Sequence, residues 1–316
     1  MMPKYTPEGI VWNDPENKEY ISGVKGLEKA AREGRILEGI ALSCNSRADL
    51  TVGLGGALRG IIPRKEAFLP LPDRQEKDIA IISRVGKPVC FKVLGIVKDE
   101  YGAPMPILSR RLAQEECFKN KLRAICPGDV IDARVTHEEP FGAFVDVGCG
   151  VVSLLSIDSI SVSRIPHPSD RFLNGEYLRV AVKSVDRMTG RIAVTRKELL
   201  GSWAENAALF EPGQTVTGMV RSIEDYGIFV ELTPNLAGLA EYREGVRVGQ
   251  KATVFIKSIN PERMKVKLVL IDSVDDGIPF TPPSCKAPPD LTHIDRWRYS
   301  PPESKKIVET VFCENG

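Results

Sequence analysis

Residues 141–146, Phe-Gly-Ala-Phe-Val-Asp, recur 85 positions later as Tyr-Gly-Ile-Phe-Val-Glu at residues 226–231. An internal repeat defines the structural unit before any local motif is interpreted. Each copy places its small or apolar residues at every second position, which is typical of a strand with one buried face. The two copies therefore predict two β modules of the same kind.

The match extends to both sides of this strand. The pair Pro-Gly at 127–128 recurs at 212–213 with the same offset, whereas residues 182–186 match residues 256–260 at an offset of only 74. The later copy therefore lacks 11 residues between its third and fourth strands. We expect a loop at this point, because loops tolerate a change of length without disturbing the sheet.

A third and weaker copy lies upstream of the other two. Residues 39–54 occupy its first two strand positions and residues 60–63 its third, and residues 89–97 and 107–111 complete it. Three modules of five short strands therefore follow one another, and the fold class is expected to be mainly β.

The alternation separates a buried face from an exposed face in the two later copies. The predicted buried face of the middle copy holds Ile131, Ala133, Val135, Ala143, Val145, Leu178, Val180 and Val182. The opposite face carries Phe144 beside Asp146, with Arg179, Lys183 and Arg191; in the last copy it carries Phe229 beside Glu231, with Lys257, Lys265 and Lys267. Since base stacking needs exposed rings and phosphates need cations, this face predicts a site for single-stranded nucleic acid.

These modules resemble the RNA-binding domain of the bacterial 30S ribosomal protein S1 family, a five-stranded barrel of the oligonucleotide-binding (OB) type. The resemblance covers residues 30–272 and is most specific at the second strand and at two glycine-led elements, residues 175–186 and 190–197. The family pattern implies RNA binding through two aromatics of the second strand and polar residues around the last hairpin. On this sequence those positions are Phe141, Phe144, Asp186 and Arg191 in the middle copy and Tyr226, Phe229, Asn260 and Lys265 in the last copy.

The sequence departs from the family pattern in two places. The third-strand histidine of the family is replaced by Pro63 in the first copy, Ser153 in the middle copy and Glu241 in the last copy, so that contact is not expected here. The first copy has Ala-Asp-Leu-Thr-Val at residues 48–52 where the others have their aromatic motif, so it is expected to lack the stacking surface.

The organisation expected from these patterns has seven parts. They are a partly helical N-terminal segment at 1–29, a divergent OB-fold repeat at 30–112, a linker at 113–126, a repeat at 127–198, a helical linker at 199–212, a repeat at 213–272 and a proline-rich C-terminal tail at 273–316. Trp203 lies on an apolar stripe of the second linker, which favours packing over base stacking. The proline density of the tail opposes regular structure, and its His-Ile-Asp-Arg-Trp-Arg-Tyr stretch at 293–299 leaves open an RNA contact, a docking contact or a loose anchor.

Charge and cysteine content limit the class of protein. The net charge of +1 argues against a basic protein that coats duplex DNA, although residues 30–126 hold 17 Lys and Arg against 11 Asp and Glu. One interpretation is that the first module makes phosphate or ribosomal contacts while the later two stack bases. The seven cysteines show no zinc-type spacing, and no signal peptide or transmembrane run is visible, so we expect a reduced, cytoplasmic, monomeric protein without metal or cofactor.

No catalytic arrangement is recognisable around the three histidines, His137, His167 and His293. The sequence therefore predicts a non-enzymatic, single-stranded RNA-binding protein that holds mRNA at or near the small ribosomal subunit and assists translation. An adaptor whose barrels bind ribosomal or RNA-decay proteins is the alternative. A nuclease or phosphorolysis enzyme is a third reading, for which a catalytic domain is missing from this sequence.

Overall fold

The computed structural model describes residues 4–70, 78–275, 277, 281 and 286–313. The chain begins with two short helices, α1 (Pro15–Ile21) and α2 (Val24–Glu33). The Asp14 side chain caps α1 by accepting a hydrogen bond from the Glu16 amide, and Gly34 ends α2 in the left-handed conformation. Both helices pack on the first barrel, where Leu27 and Ala30 are fully buried.

The first barrel consists of β1 (Leu37–Cys44), β2 (Leu50–Gly53), β3 (Arg59–Ile62), β4 (Pro88–Lys98) and β5 (Pro104–Ser109), with α3 (Asp78–Ile82) before β4. The strands close in the order β1-β2-β3-β5-β4. Residues 53–56, Gly-Leu-Gly-Gly, lead from the end of β2 into its turn with β3, as expected for a hairpin and not for a phosphate loop. Helix α4 (Arg110–Cys117) and a π-helical turn (Phe118–Leu122) then connect to the second barrel.

The second barrel consists of β6 (Val130–Glu139), β7 (Gly142–Asp146), β8 (Val152–Ser156), β9 (Tyr177–Asp186) and β10 (Arg191–Thr195). A 3-10 turn (Lys197–Leu200) and α5 (Trp203–Ala207) link it to the third barrel. That barrel consists of β11 (Thr215–Glu224), β12 (Gly227–Thr233), β13 (Leu236–Ala240), β14 (Lys251–Asn260) and β15 (Lys265–Val274). We call these units barrels 1, 2 and 3.

All three barrels share one topology, in which the third and fifth strands pair in parallel and every other neighbouring pair is antiparallel. This is the closed five-stranded arrangement of the OB fold, so the predicted fold class of three tandem barrels is confirmed. The predicted core is confirmed as well, since Ala133, Val135, Ala143, Val145 and Val180 are all at most 1% exposed. Trp203 is 3% exposed and packs in the barrel 3 core, as the apolar stripe indicated.

The connection of the third strand to the fourth accounts for ten of the 11 residues by which barrels 2 and 3 differ. In barrel 2 this connection runs from residue 157 to residue 176 and contains two short 3-10 turns. In barrel 3 the same connection occupies residues 241–250. The longer connection is the inter-barrel loop of the molecule, because its Arg171 and Asp170 reach side chains of barrel 3.

The C-terminal tail corrects one expectation from the sequence. Its prolines do not prevent regular structure, because β16 (Arg296–Arg298) and β17 (Glu309–Val311) form a two-stranded antiparallel sheet. Trp297 and Tyr299 are each 9% exposed and pack into the core of barrel 3. The Tyr299 hydroxyl donates to the Asn235 carbonyl over 2.7 Å, and the Tyr299 carbonyl accepts from the Trp203 amide. Of the alternatives left open for this segment, the structure favours docking on the barrels.

Within the described residues, no helix is both long enough and apolar enough to span a membrane. The longest, α2, has ten residues and carries charged side chains along its exposed side.

Candidate nucleic-acid interface

A single row of cross-strand neighbours defines the candidate interface of barrel 2. Phe144 on β7 stands opposite His137 on β6 and Leu154 on β8. Leu154 pairs in turn with Ala193 on β10, which stands opposite Ser184 on β9. We call this set the cross-strand row, because neighbouring side chains in such a row share one face of the sheet.

Barrel 3 carries the same cross-strand row with two changes of residue. Phe229 on β12 stands opposite Ser222 on β11 and Leu239 on β13, and Leu239 pairs with Lys267, which stands opposite Ser258. Barrel 3 therefore has a serine where barrel 2 has a histidine, and a lysine where barrel 2 has an alanine. The aromatic and the leucine are common to both.

A second aromatic flanks each central phenylalanine. Phe141 packs edge-to-face on Phe144 with ring centroids 6.0 Å apart, and Tyr226 packs on Phe229 in the same way at 6.1 Å. Phe141 is 55% exposed and Tyr226 is 68% exposed, while the two central rings are half-buried. Each pair therefore exposes aromatic surface to solvent, which is the kind of surface on which bases stack.

His137 belongs to this surface, although the sequence interpretation gave it no role. Its ring is stacked on Phe144 with centroids 6.4 Å apart and an interplanar angle of 9°, and its Nε2 lies 2.8 Å from Glu139. A β-bulge between Val135 and His137 shifts the register of β6. Simple alternation would place His137 on the same face as the buried Val135, so the bulge is the reason that sequence parity missed it.

The remaining predicted residues of barrel 2 lie around the end of its last hairpin. Asp186 stands opposite Arg191 across β9 and β10. The Asp186 carboxylate accepts hydrogen bonds from the amides of Met188 and Thr189 and from the Thr189 hydroxyl. These bonds, the hydroxyl first, lower the pKa of Asp186 and fix the turn. The Asp186 side chain is exposed, but its carboxylate already accepts the hydrogen bonds that hold the turn of this hairpin.

Lys183 and Arg179 of β9 have partners within the protein. The Lys183 ammonium donates to the Ser159 hydroxyl at 3.0 Å and lies 3.9 Å from Asp158, although the side chain remains 45% exposed. Arg179 is placed differently, because its guanidinium donates to the carbonyls of Pro288 and Leu291 in the tail. The structure therefore assigns Arg179 a contact with the tail that the sequence did not indicate.

The corresponding residues of barrel 3 are exposed. Asn260 stands opposite Lys265, and its side-chain oxygen accepts from the Arg263 amide. The exposed cations Lys257, Lys265 and Lys267 alternate with buried residues along β14 and β15, so all three project from the barrel. Barrel 3 thus brings two aromatics and three cations to its outer surface.

One premise of the predicted exposed face is wrong. Asp146 and Glu231 share the parity of the central aromatics, yet they are 1% and 0% exposed. Asp146 accepts hydrogen bonds from the amides of Glu8, Gly148 and Gly150. Burial, together with the nearby Glu8 carboxylate, raises the pKa of Asp146 to about 6.

Glu231 is buried in a different environment. It lies 2.6 Å from the Arg171 guanidinium and 2.8 Å from that of Arg221. Both carboxylates are therefore covered by a neighbouring segment, the N-terminal segment in one case and the inter-barrel loop in the other. Parity alone could not show this, because the covering residues are remote in sequence.

Barrel 1 has no aromatic in its cross-strand row. The equivalent positions are Ser43, Thr51, Ile61, Ile107 and Gly95. The residue that corresponds to Phe141 is the buried Ala48. The expectation that the first module lacks a stacking surface agrees with this geometry.

The comparisons with known proteins address the same region of the chain. The profile of the S1 RNA binding domain family matches residues 126–197, which are the residues of barrel 2. Barrel 2 is similar to S1 RNA-binding domains. The sequence of this domain holds the aromatic pair, the cross-strand row and the Asp186 hairpin described above.

Most of the chain is similar to bacterial ribosomal proteins. It is 31% identical over 199 residues to the small ribosomal subunit protein bS1 homolog of Bacillus subtilis, covering 58% of this chain and 51% of that protein. It is 29% identical over 242 residues to the small ribosomal subunit protein bS1 of Rhodopseudomonas palustris, covering 75% of this chain and 40% of that protein. The predicted resemblance to the ribosomal protein S1 family is confirmed, and the chain spans about half the length of the curated relatives it matches.

A solved multidomain protein with nucleic acid binding domains from Streptococcus pneumoniae matches 75% of this chain and 73% of its own, at 16% identity and a TM-score of 0.24.

Proposed function

We propose that the chain binds single-stranded RNA on the cross-strand rows of barrels 2 and 3, and that it holds mRNA at or near the small ribosomal subunit to assist translation. The observation that carries this proposal is the repetition of one surface at the same ladder positions of two barrels. A pair of exposed rings on a single barrel has many uses, but the same pair beside cations on two consecutive barrels fits a strand of bases.

Exposure of the rings also supports binding over packing. Tyr226 and Phe141 rank among the more exposed large aromatic side chains of the described residues, and each makes a T-shaped contact with its central ring. Exposed aromatic surface of this kind marks an interaction site. Bases within a duplex are stacked on each other, so the preferred ligand is an unpaired strand.

The cations that accompany the rings are the RNA-binding residues we propose alongside them. Lys183 and Arg191 in barrel 2 and Lys257, Lys265 and Lys267 in barrel 3 would contact phosphates, while Asp186 and Asn260 would contact sugars or base edges. Arg179 also belongs to the proposed set, but we expect it to contribute least, because its guanidinium already donates to two carbonyls of the tail.

Association with the small ribosomal subunit rests on the names of the bS1 relatives, of which this chain covers 51% and 40%. In this proposal the protein acts in the cytoplasm as a monomer and has no catalytic role. An adaptor that binds only proteins is the competing function, and it predicts no affinity of the purified chain for RNA.

The double variant Phe144→Ala with Phe229→Ala tests the proposal. Because stacking contributes about 1 to 3 kcal/mol per base, the loss of both rings should weaken binding to an unstructured RNA of about 20 nucleotides by at least tenfold. Fluorescence anisotropy measures the affinity, and circular dichroism checks the fold.

Phe255→Ala is the matched control, because Phe255 is a 37% exposed phenylalanine on β14 outside the cross-strand row. It should leave the affinity within about twofold of the original chain. Equal loss in the control and the double variant, or tighter binding to duplex RNA than to the single strand, would contradict the stacking assignment. No binding of the original chain to RNA would favour the adaptor.

A further inference from the structure

The tail pairs with the strand that opens barrel 2. The Val130 amide donates to the Thr292 carbonyl over 2.8 Å, and the Ile294 amide donates to the Gly128 carbonyl over 2.9 Å. Asp129 and His293 form the antiparallel bridge between them. The tail therefore lies along residues 128–130 as a short added strand.

Gly128 is shaped for this contact. Its φ is +93°, and a Cβ at this position would lie 2.3 Å from the Ile294 carbonyl oxygen. The equivalent Gly213 of barrel 3 has a φ of +94° with open space around it. The turn itself explains a glycine in both barrels, but only in barrel 2 does the tail also require the absence of a side chain.

The end of the tail hairpin brings two more side chains to His293. The amides of Phe312 and Cys313 donate to the Asp295 carbonyl at 2.9 and 3.4 Å, which holds these two strand ends side by side. As a result, a ring nitrogen of His293, a carboxylate oxygen of Asp295 and the Cys313 sulfur all lie within 4.8 Å of one another. Nitrogen, oxygen and sulfur donors thus converge from two strands of the tail.

Asp129 orients the histidine from the other side. Its Oδ1 lies 2.6 Å from His293 Nδ1, and its Oδ2 accepts from the Cys126 amide at 2.8 Å. With the Nδ1 proton donated to Asp129, Nε2 carries the lone pair, and it faces Asp295 Oδ1 at 3.2 Å. A carboxylate behind a metal-binding histidine is the usual way that proteins fix its tautomer.

We propose that His293, Asp295 and Cys313 bind one Zn²⁺ ion, with Asp129 as the hydrogen-bond partner of His293. Zinc–ligand distances of about 2.0 to 2.2 Å at tetrahedral angles separate N and O ligands by about 3.3 Å, close to the observed 3.2 Å. The thiolate and imidazole exclude Mg²⁺ and Ca²⁺, which take oxygen ligands. The Asp295 side chain is 65% exposed, so the fourth position opens to water.

The ion would stabilise the contact of the tail with barrel 2, and the same tail also packs on barrel 3 through Trp297 and Tyr299. The same tail contacts the linker between these barrels, where the Thr310 hydroxyl donates to Glu198. The site therefore acts on the relative position of the two barrels. Its residues are not part of the cross-strand rows, so the proposal does not depend on RNA binding.

Cobalt binding to the full chain tests the site. The chain is stripped with EDTA, kept reduced and titrated with Co²⁺, whose bond to a thiolate gives a near-ultraviolet charge-transfer absorption. We expect one Co²⁺ per chain with this absorption, and its loss when Zn²⁺ displaces the cobalt. An absence of the absorption in the original chain would overturn the proposal and leave His293 as a salt-bridge partner of the two aspartates.

Four variants assign the ligands. Cys313→Ser should abolish the sulfur absorption, His293→Gln should weaken metal binding at least about tenfold, and Asp129→Asn should weaken it about 10- to 100-fold. Cys44→Ser, a half-buried thiol in barrel 1, is the matched control and should bind as the original chain does. Persistence of the sulfur absorption in Cys313→Ser would refute the site.

Thermal unfolding keeps the test informative if a variant is less stable. Zn²⁺ should raise the Tm of the original chain and of Cys44→Ser, because an ion that binds only the folded state stabilises it. It should leave the Tm of Cys313→Ser and His293→Gln unchanged. An equal shift in all four proteins would also refute the site.

Discussion

Barrels 2 and 3 use one position of their second strand in two ways. Asp146 in barrel 2 accepts three backbone amides, one of them from the N-terminal segment, whereas Glu231 in barrel 3 binds two arginines. The equivalent residue of barrel 1 is Gly53, which has no side chain to offer. The barrels thus share a fold, and in each later barrel the residue at this position binds a segment that lies earlier in the chain. This segment is the N-terminal segment for barrel 2 and the inter-barrel loop for barrel 3.

The partners of the two carboxylates explain their difference. Arg171 reaches Glu231 from the inter-barrel loop of barrel 2, the segment that is ten residues longer than its counterpart. Asp146 instead receives the Glu8 amide, and the Glu8 carboxylate is paired with the buried Arg110 at 2.6 Å. The Asp146 carboxylate therefore accepts hydrogen bonds from backbone amides, whereas the Glu231 carboxylate forms ion pairs with two arginines.

The largest expected effect is on stability, and it follows from removal of either of these two carboxylates. Glu231→Ala leaves Arg171 and Arg221 buried without their shared partner, which should cost about 3 to 5 kcal/mol of unfolding free energy. Asp146→Ala removes only an acceptor of amides and should cost about 1 to 3 kcal/mol. Urea unfolding measures both, with the exposed Glu241→Ala as control. A larger loss for Asp146→Ala would reverse the assignment of the two anchors.

The dependence of stability on pH should come from the interface of barrels 1 and 2. Burial raises the pKa of Glu38 to about 8, and it raises the pKa of Asp146 to about 6. The folded chain therefore keeps protons that the unfolded chain releases, and its stability falls as pH rises through these values. For each group, every unit by which the pKa in the folded chain exceeds the pKa in the unfolded chain corresponds to about 1.4 kcal/mol of unfolding free energy.

Glu8 acts in the opposite direction below this range. Burial raises its pKa, but Arg110 outweighs burial and holds the pKa below the ordinary value, so this stabilisation is lost only in acid. The urea midpoint should therefore decrease from about pH 5 to about pH 9, and less steeply in Asp146→Asn than in the exposed control Asp132→Asn. A midpoint that does not fall over this range would contradict the raised pKa values of Glu38 and Asp146 in the folded chain.

A smaller effect should separate the role of barrel 1 from that of the later barrels. We expect the triple change Arg59→Glu, Lys65→Glu and Lys98→Glu to reduce co-sedimentation with ribosomes at least about threefold, and to reduce affinity for a free RNA oligomer less, because long-range electrostatics favours docking. All three side chains are exposed. Equal losses in both assays would mean that barrel 1 reads RNA itself.

Surface charges are the appropriate target for this test because a truncation would not be neutral. Removal of residues 1–112 also removes Glu8 and Arg110, whose contacts cover Asp146. Loss of function after such a truncation would then report on the exposed core of barrel 2 and not on docking.

The smallest effect should come from exchanging the one cation that distinguishes the two cross-strand rows. Lys267→Ala should weaken RNA binding about two- to fivefold and reduce the salt slope by about one phosphate contact. Ala193→Lys, at the matching position of barrel 2, should produce the reverse change. Anisotropy titrations over a range of salt concentrations measure both. Identical slopes in all three proteins would place the RNA path away from this end of the row.

Sequence alone predicted the repeat, the five-strand modules and the aromatic pairs, because each rests on local alternation. It placed Asp146 and Glu231 in solvent because the segments that cover them, residue 8 and residue 171, are 138 and 60 positions away. It missed His137 because a bulge reverses the alternation within one strand. It did not predict the two-stranded sheet of the tail, because proline content gives no information on the packing of Trp297 and Tyr299 in the core of barrel 3.

The pairing of the tail with barrel 2 has a consequence for the order of assembly. His293 meets Asp129 across 164 positions of chain, and barrel 3 lies wholly between them. During synthesis the strands of barrel 2 emerge long before residue 293, and the tail can pair with them only after the residues of barrel 3 have been synthesised. The closing of so long a loop costs little more entropy than a loop half its length. The contacts that join barrel 2, the linker and barrel 3 through the tail are thus made by residues that are synthesised after both barrels.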